Sequence, residues 1–179
     1  MATIGVSKPY YAKYSATGTS VTYTGGGVMG KATEVGVEIE TTEDNNLYAD
    51  NGIAETDRQF SGGTLTVKPD DLSQEVSKAI LGLKEEEVGT IDGVTDESVM
   101  ELIYDDDQVT PYLGVGFIIK KQVKGVTKWR AVVLTRVMFS VPADAATTQG
   151  ESSEWQVPEL SATITRDESE KHAWKKEAT

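Results

Sequence analysis

Residues 33–41 read TEVGVEIET. Val35, Val37 and Ile39 alternate with Glu34, Gly36, Glu38 and Glu40, a period of two that an extended strand turns into two separate faces. One face is apolar and the other is a row of carboxylates. Neighbours on one face of a strand stand about 6.8 Å apart, close enough for like charges to repel through water at ordinary salt. Glu34, Glu38 and Glu40 therefore call for solvent, or an opposing charge, in front of them.

The same period recurs on either side. Tyr10–Tyr14 and Val21–Tyr23 flank a polar turn at Ser15–Thr19 that contains Gly18, which predicts a hairpin. Strands are predicted at Phe60–Val67, Val99–Tyr104, Tyr112–Gln122, Thr127–Val141 and Val157–Thr165, with a Lys124-Gly125 turn joining the two longest. In the second of these, Trp129, Ala131, Val133, Thr135, Val137 and Phe139 alternate with Lys128, Arg130, Val132, Leu134, Arg136 and Met138. Both sets are partly apolar, as in a strand buried between layers or at a subunit contact, and the pattern places Trp129 with the packing positions. The period changes once. Leu72, Val76, Ala79, Ile80 and Leu83 fall on one helical face, with Asp71 and Gln74 as a capping box and Gly82 as the stop. The segment Thr41–Gln59 is polar and longer than most connections in a compact domain, so it reads as a long inter-strand loop, with Leu47, Tyr48 and Ile53 as apolar anchors. Glu85–Glu97 reads as a turn-rich acidic connection with room for a short hairpin, and Pro142–Glu154 as a small-residue polar stretch.

At 179 residues the chain is read as one mainly β domain, 1–179, large enough to bury a core without disulfide or metal staples. Residues 1–9 are expected as a flexible N-terminal arm and 168–179 as a flexible C-terminal tail. There is no cysteine and one histidine, His172. Thiolate chemistry and a multi-histidine metal site are thereby excluded. No segment has the apolar length needed to cross a bilayer and the start has no signal-like run, so a soluble, cytoplasmically made protein is expected. The net charge of -12 argues against general adhesion to nucleic-acid phosphates. That charge is segregated. Eight acids and no Lys or Arg lie between Glu34 and Asp57, whereas six bases (Lys120, Lys121, Lys124, Lys128, Arg130 and Arg136) and no acid lie between Lys120 and Arg136. Two solvated sheet faces of opposite sign would have the same pattern.

Apparent chemical motifs fail on inspection. Gly25, Gly30 and Lys31 have P-loop spacing, but Ala32 stands where a hydroxyl must hold magnesium, and a strand follows where the motif needs a helix N-terminus. Asp105-Asp106-Asp107 lacks the alternating ligand spacing of a calcium loop and reads as a solvated turn. His172 sits in a charged tail beside Trp174, and Trp129 and Trp155 read as packing residues before a sugar platform. No catalytic, cofactor or metal residues are expected.

Four stretches in order, GVSKPYYAKY (5–14), GKATEVGVEIETTEDNNLYADN (30–51), FSGGTLTVKPDDLSQEVSKAILGL (60–83) and WQVPELSATITRD (155–167), together resemble the major tail protein family of long-tailed bacteriophages and prophages, which forms the tail tube. The resemblance implies a β-sandwich or barrel-like domain with one flanking helix, six copies to a ring, and rings stacked into a hollow tube of the virion tail. It implies as partners the tape-measure protein, the tail terminator and distal tail or baseplate proteins, with DNA passing through without being bound. Assembly would take place in the host bacterial cytoplasm.

On this reading Glu34, Glu38 and Glu40 line the channel. Asp44, Asn45, Asn46, Leu47, Tyr48, Asp50, Asn51 and Ile53 belong to a loop that contacts the next ring or subunit. Lys120, Lys121, Lys124, Lys128, Arg130 and Arg136 form a basic interface against an acidic neighbour. Two alternatives stay open: a secreted or surface carbohydrate-binding β-sandwich, and the tube of a contractile tail or a type VI-like injection system.

Overall fold

The computed structural model of the chain describes residues 2–49, 51–89, 99–143 and 156–179. Trp155, Asp50, residues 90–97 of the acidic connection and residues 144–154 of the small-residue stretch lie outside them. Within them the protein is mainly β with a single helix and antiparallel sheets.

The elements in chain order are β1 (Ala2–Thr17), β2 (Ser20–Val28), β3 (Ala32–Thr41), β4 (Asn45–Ala49), β5 (Gly52–Asp57), β6 (Phe60–Pro69), α1 (Gln74–Leu81), β7 (Lys84–Gly89), β8 (Val99–Ile103), β9 (Leu113–Val123), β10 (Val126–Phe139), β11 (Leu160–Thr165) and β12 (Lys175–Ala178). Eight of the strands form one sheet in the order β2-β1-β9-β10-β11-β6-β3, with β12 added to β10. The sheet curls far enough for β3 to come back against β1, and the Met29 amide, donating to the Pro9 carbonyl at 2.9 Å, extends the β1–β2 ladder toward the turn into β3. Curling lets one concave face bury Leu65 and Val67 of β6, Leu113 and Val115 of β9, Leu134 and Val137 of β10, and Leu160 and Ile164 of β11 in a single core. The two ends of the path, β2 and β3, each pair with one strand.

Helix α1 closes this core with Val76, Ile80 and Leu81, followed by Leu83, which matches the apolar stripe read from the sequence. Its cap differs from expectation. Ser73, not Asp71, is the N-cap: its hydroxyl accepts from the Val76 amide, while Asp71 accepts from Leu72 one residue on. Asp71 lies too far upstream to reach the orphan amides of the first turn. Gly82 ends the helix at φ 69, in the left-handed region that a side chain resists.

Strand β10 is where simple alternation breaks. Leu134 pairs with Val115 and Val137 with Leu113, so β10 spends three residues where β9 spends two. This bulge at Thr135–Arg136 reverses the parity of the strand. Val132 and Leu134 before it, and Val137 and Phe139 after it, all face the core. Trp129, which shares parity with Val137, is therefore sent outward and is 55% exposed. The expectation of a packed Trp129 is corrected by that one extra residue.

Both expected flexible ends are built into the sheet. Residues 2–9 belong to β1 and pair with β9, as Ala2 with Gln122 and Val6 with Ile119. The C-terminal segment folds back so that Lys175–Ala178 pair with Ala131–Leu134, and Trp174 stacks on Phe60 with centroids 4.8 Å apart. The described residues of the 41–59 segment likewise form a hairpin in place of the expected loop. Thr42 donates to the Gln59 carbonyl, carrying the β3–β6 ladder outward, and Asn45–Ala49 then pair with Gly52–Asp57.

Candidate assembly surfaces

The carboxylate row of β3 leaves the core as alternation requires. Val35 and Val37 pack against it, Ile39 lies at its margin over Gly63, and Glu34, Glu38 and Glu40 are exposed. The row is not uniform. Lys68, opposite Glu34 on β6, places its ammonium 3.0 Å from Glu34 and 3.3 Å from Glu159. Hydrogen bonding to Glu34 and then Glu159 raises the Lys68 pKa. Glu38 and Glu40 face Thr64 and Gly62 and have no ion-pair partner among the described residues, so they are the free charges of this strand.

The β4–β5 arm carries Asp44, Asn45, Asn46, Leu47, Tyr48, Asn51 and Ile53. Cross-strand pairing sets Leu47 against Glu55 and Asn45 against Asp57 on one face, and Tyr48 against Ile53 on the other. Leu47, Tyr48 and Ile53 are 60%, 67% and 57% exposed. At its base Arg58 grips Asp44 through two hydrogen bonds of 2.6 and 2.7 Å, which depresses the Asp44 pKa. Asn51 has φ 65, a left-handed geometry that Asn tolerates in a tight turn. The arm adds nothing to the core, so its apolar side chains are unexplained by the folding of one chain.

The basic cluster is split by the structure. Lys120, Lys121, Lys124 and Lys128 gather at the end of the β9–β10 hairpin, whose turn residues Lys124 and Gly125 have φ 49 and 81, the mirror-image geometry that suits a twisted two-residue hairpin. Lys120 lies over the Trp129 ring, 5.9 Å from its centroid. Arg130 is held by Glu177, which also binds Lys175, and these two partners lower the Glu177 pKa to about 2.

Arg136 does not join the lysines. Its guanidinium lies 3.9 Å over Tyr112 and 5.5 Å from Tyr14, with Glu168 at 3.4 Å. It is a packing residue of the bulge, separated from the interface group in which its charge had placed it.

Around that bulge lie residues that sequence reading passed over. Thr135 is fully buried: its amide donates to the Trp174 carbonyl, its hydroxyl to the Ala173 carbonyl, and its own carbonyl accepts from Tyr23 Oη at 2.8 Å. Tyr23 comes from β2 and the Trp174 segment from the C-terminus, so three distant parts of the chain meet at one residue. No periodicity reports such a contact. The extra residue in β10 was the available signal, since a strand with two half-apolar faces implies a change of face. A cleft beside it is lined by Gln59, Phe60, Ser61, Arg136, Thr165 and Arg166, and the Arg166 guanidinium there donates to the Phe60 carbonyl at 2.6 Å.

No family model matches the sequence, and no curated protein matches it.

Proposed function

We propose that this chain is the structural subunit of a phage tail tube, in which copies join side by side into hexameric rings and the rings stack around a channel that conveys DNA. The observation that carries the reading is a curled sheet whose terminal strands, β2 and β3, each pair on one side only, in a protein that also holds three large apolar side chains out on an arm. Unpaired edges are costly to leave open and are removed when sheets join around a ring. The family resemblance across the chain supplies the rest: a tube in the virion tail, the tape-measure, terminator and baseplate proteins as neighbours, and a structural role without catalysis. Glu38 and Glu40, free of ion pairs among the described residues, suit a channel wall that phosphates slide past.

Negative-stain microscopy of the purified protein at rising concentration tests this. Rings or tubes with a central channel are expected; a strictly monomeric protein at all concentrations overturns it. A tube enclosed by a contractile sheath would have the same subunit design, and the presence of a sheath in the intact particle distinguishes it.

A further inference from the structure

We propose that the lysine-rich end of the β9–β10 hairpin is the docking surface for the acidic β4–β5 arm of a second copy of this chain, standing beside the first in the same orientation. The proposal rests on the ring reading above and names the surfaces that meet in it.

The hairpin is charged in a way the described residues of its own chain leave uncompensated. Lys121 and Lys128 are direct cross-strand partners. Like charges in that position repel, and the pairing becomes favourable only when a carboxylate is set between or against them. Among the described residues none of Lys120, Lys121, Lys124 and Lys128 has an ion-pair partner. The nearby acid of β12, Glu177, is already shared by Arg130 and Lys175.

The arm has the opposite excess. Asp44 is matched by Arg58, but among the described residues Glu43 and Glu55 have no cation, and Asp57 accepts a 3.3 Å bond from Gln59 with no cation beside it. Glu55, Asp57 and Leu47 share one face. Val126, exposed and on the same side of the hairpin as Lys121 and Lys128, gives that face apolar surface to cover as well as charge to meet.

Topology places the two surfaces at one height. Strands β6 and β10 run in the same direction, each antiparallel to β11 between them, with Val137, Ile164 and Gly63 in register. The arm precedes β6 and the hairpin turn precedes β10, so both leave the same end of the sheet. Gly125 lies twelve residues before Val137, and Asn51 twelve before Gly63, a reach of up to about 40 Å in each case at ~3.3 Å per residue. Within one chain β12 occupies the side of β10 that faces the arm. In a neighbour with parallel orientation, arm and hairpin arrive at the same level, where Ala2–Ser7 of β1 run along the β9 side of the hairpin and leave the two faces of its lysine-bearing end open to the arm.

The chain has no cysteine, which makes a crosslink test direct. Purified Lys128→Cys and Glu55→Cys chains are mixed under assembly conditions and oxidised; a crosslinked pair is expected in the mixture and far less in either variant alone. In parallel, Lys121→Glu with Lys128→Glu, and separately Glu55→Lys with Asp57→Lys, are each expected to lower the assembled fraction about tenfold, and combining all four to restore it. Circular dichroism verifies that each variant is folded. The proposal is overturned if wild type assembles while the hairpin reversal assembles equally well, or if the mixed cysteine variants give no crosslink. It is also overturned if the hairpin lysines retain duplex DNA with assembly unaffected by their reversal. Wild type that never assembles overturns the ring reading itself.

Discussion

The phenol of Tyr23 donates a 2.8 Å hydrogen bond to the carbonyl of Thr135, 112 residues further along the chain. That carbonyl belongs to the bulge of β10, where ladder pairing lapses and the backbone needs another partner. Thr135 also anchors the C-terminal segment through Ala173 and Trp174, so the bond links β2, the bulge and the chain end. Tyr23→Phe removes the donor alone and is expected to cost about 1 kcal/mol in urea unfolding at neutral pH. The pH dependence follows from the phenol's proton. Burial, then Asp167 and Tyr14, push its pKa up to about 12, whereas an unfolded tyrosine titrates near 10. The folded state thus holds a proton that the unfolded state has lost, and this contribution, complete below pH 10, disappears between pH 10 and 12. The stability difference between wild type and Tyr23→Phe should narrow over that interval; a constant difference counts against the assignment.

Gly114 makes the position of Tyr23 accessible. A Cβ at Gly114 would stand 2.5 Å from Cε1 of the Tyr23 ring, so Gly114→Ala must displace the ring and lose its bond to Thr135. A loss of roughly 1–3 kcal/mol is expected, from strain and the broken bond together. In a Tyr23→Ala background the same change meets empty space and should cost much less. Equal costs in the two backgrounds, measured as a double-mutant cycle, would separate Gly114 from Tyr23.

The arm should be dispensable for folding and required for assembly. Asp44 and Arg58 close its base, and Leu47, Tyr48 and Ile53 lie outside the core cluster. Replacing 45–57 by a two-residue turn is expected to shift stability by no more than about 0.5 kcal/mol, as for surface changes away from packed features. The same variant should fail to form long tubes under conditions where wild type does. Thermal unfolding and electron microscopy report the two halves of this prediction separately.

Glu38 and Glu40 offer the cleaner test of the carboxylate row, because Glu34 is already matched by Lys68. Glu38→Lys with Glu40→Lys leaves every ion pair of the described residues in place. If these side chains line the channel, assembled tubes carrying the pair should retain DNA and release it with a steep salt dependence. Tubes that retain no DNA would place the row on the outer wall. Glu34→Lys, by contrast, sets two cations against each other across β3 and β6 and should lower stability as well.

Side-chain periodicity carried far in this protein. The alternation in β3, the Lys124-Gly125 turn, the single helix with its buried stripe and the exposed apolar residues of the arm are local properties: each is set by neighbours two to four residues apart, and each is legible in the chain before it folds. Tertiary structure decided what depends on partners far away in sequence. One extra residue at Thr135–Arg136 turned Trp129 outward and Val132 inward, because parity along a strand is fixed by the register of the strand beside it. Pairing with β9 made residues 2–9 part of the sheet, and pairing with β10 did the same for Lys175–Ala178. Charge type was readable from composition, but whether a charge is free was not. Arg136 and Glu34 look like the lysines and glutamates around them, and only packing showed that Tyr112 and Lys68 already hold them while Lys121, Lys128, Glu38 and Glu40 have no ion pair among the described residues.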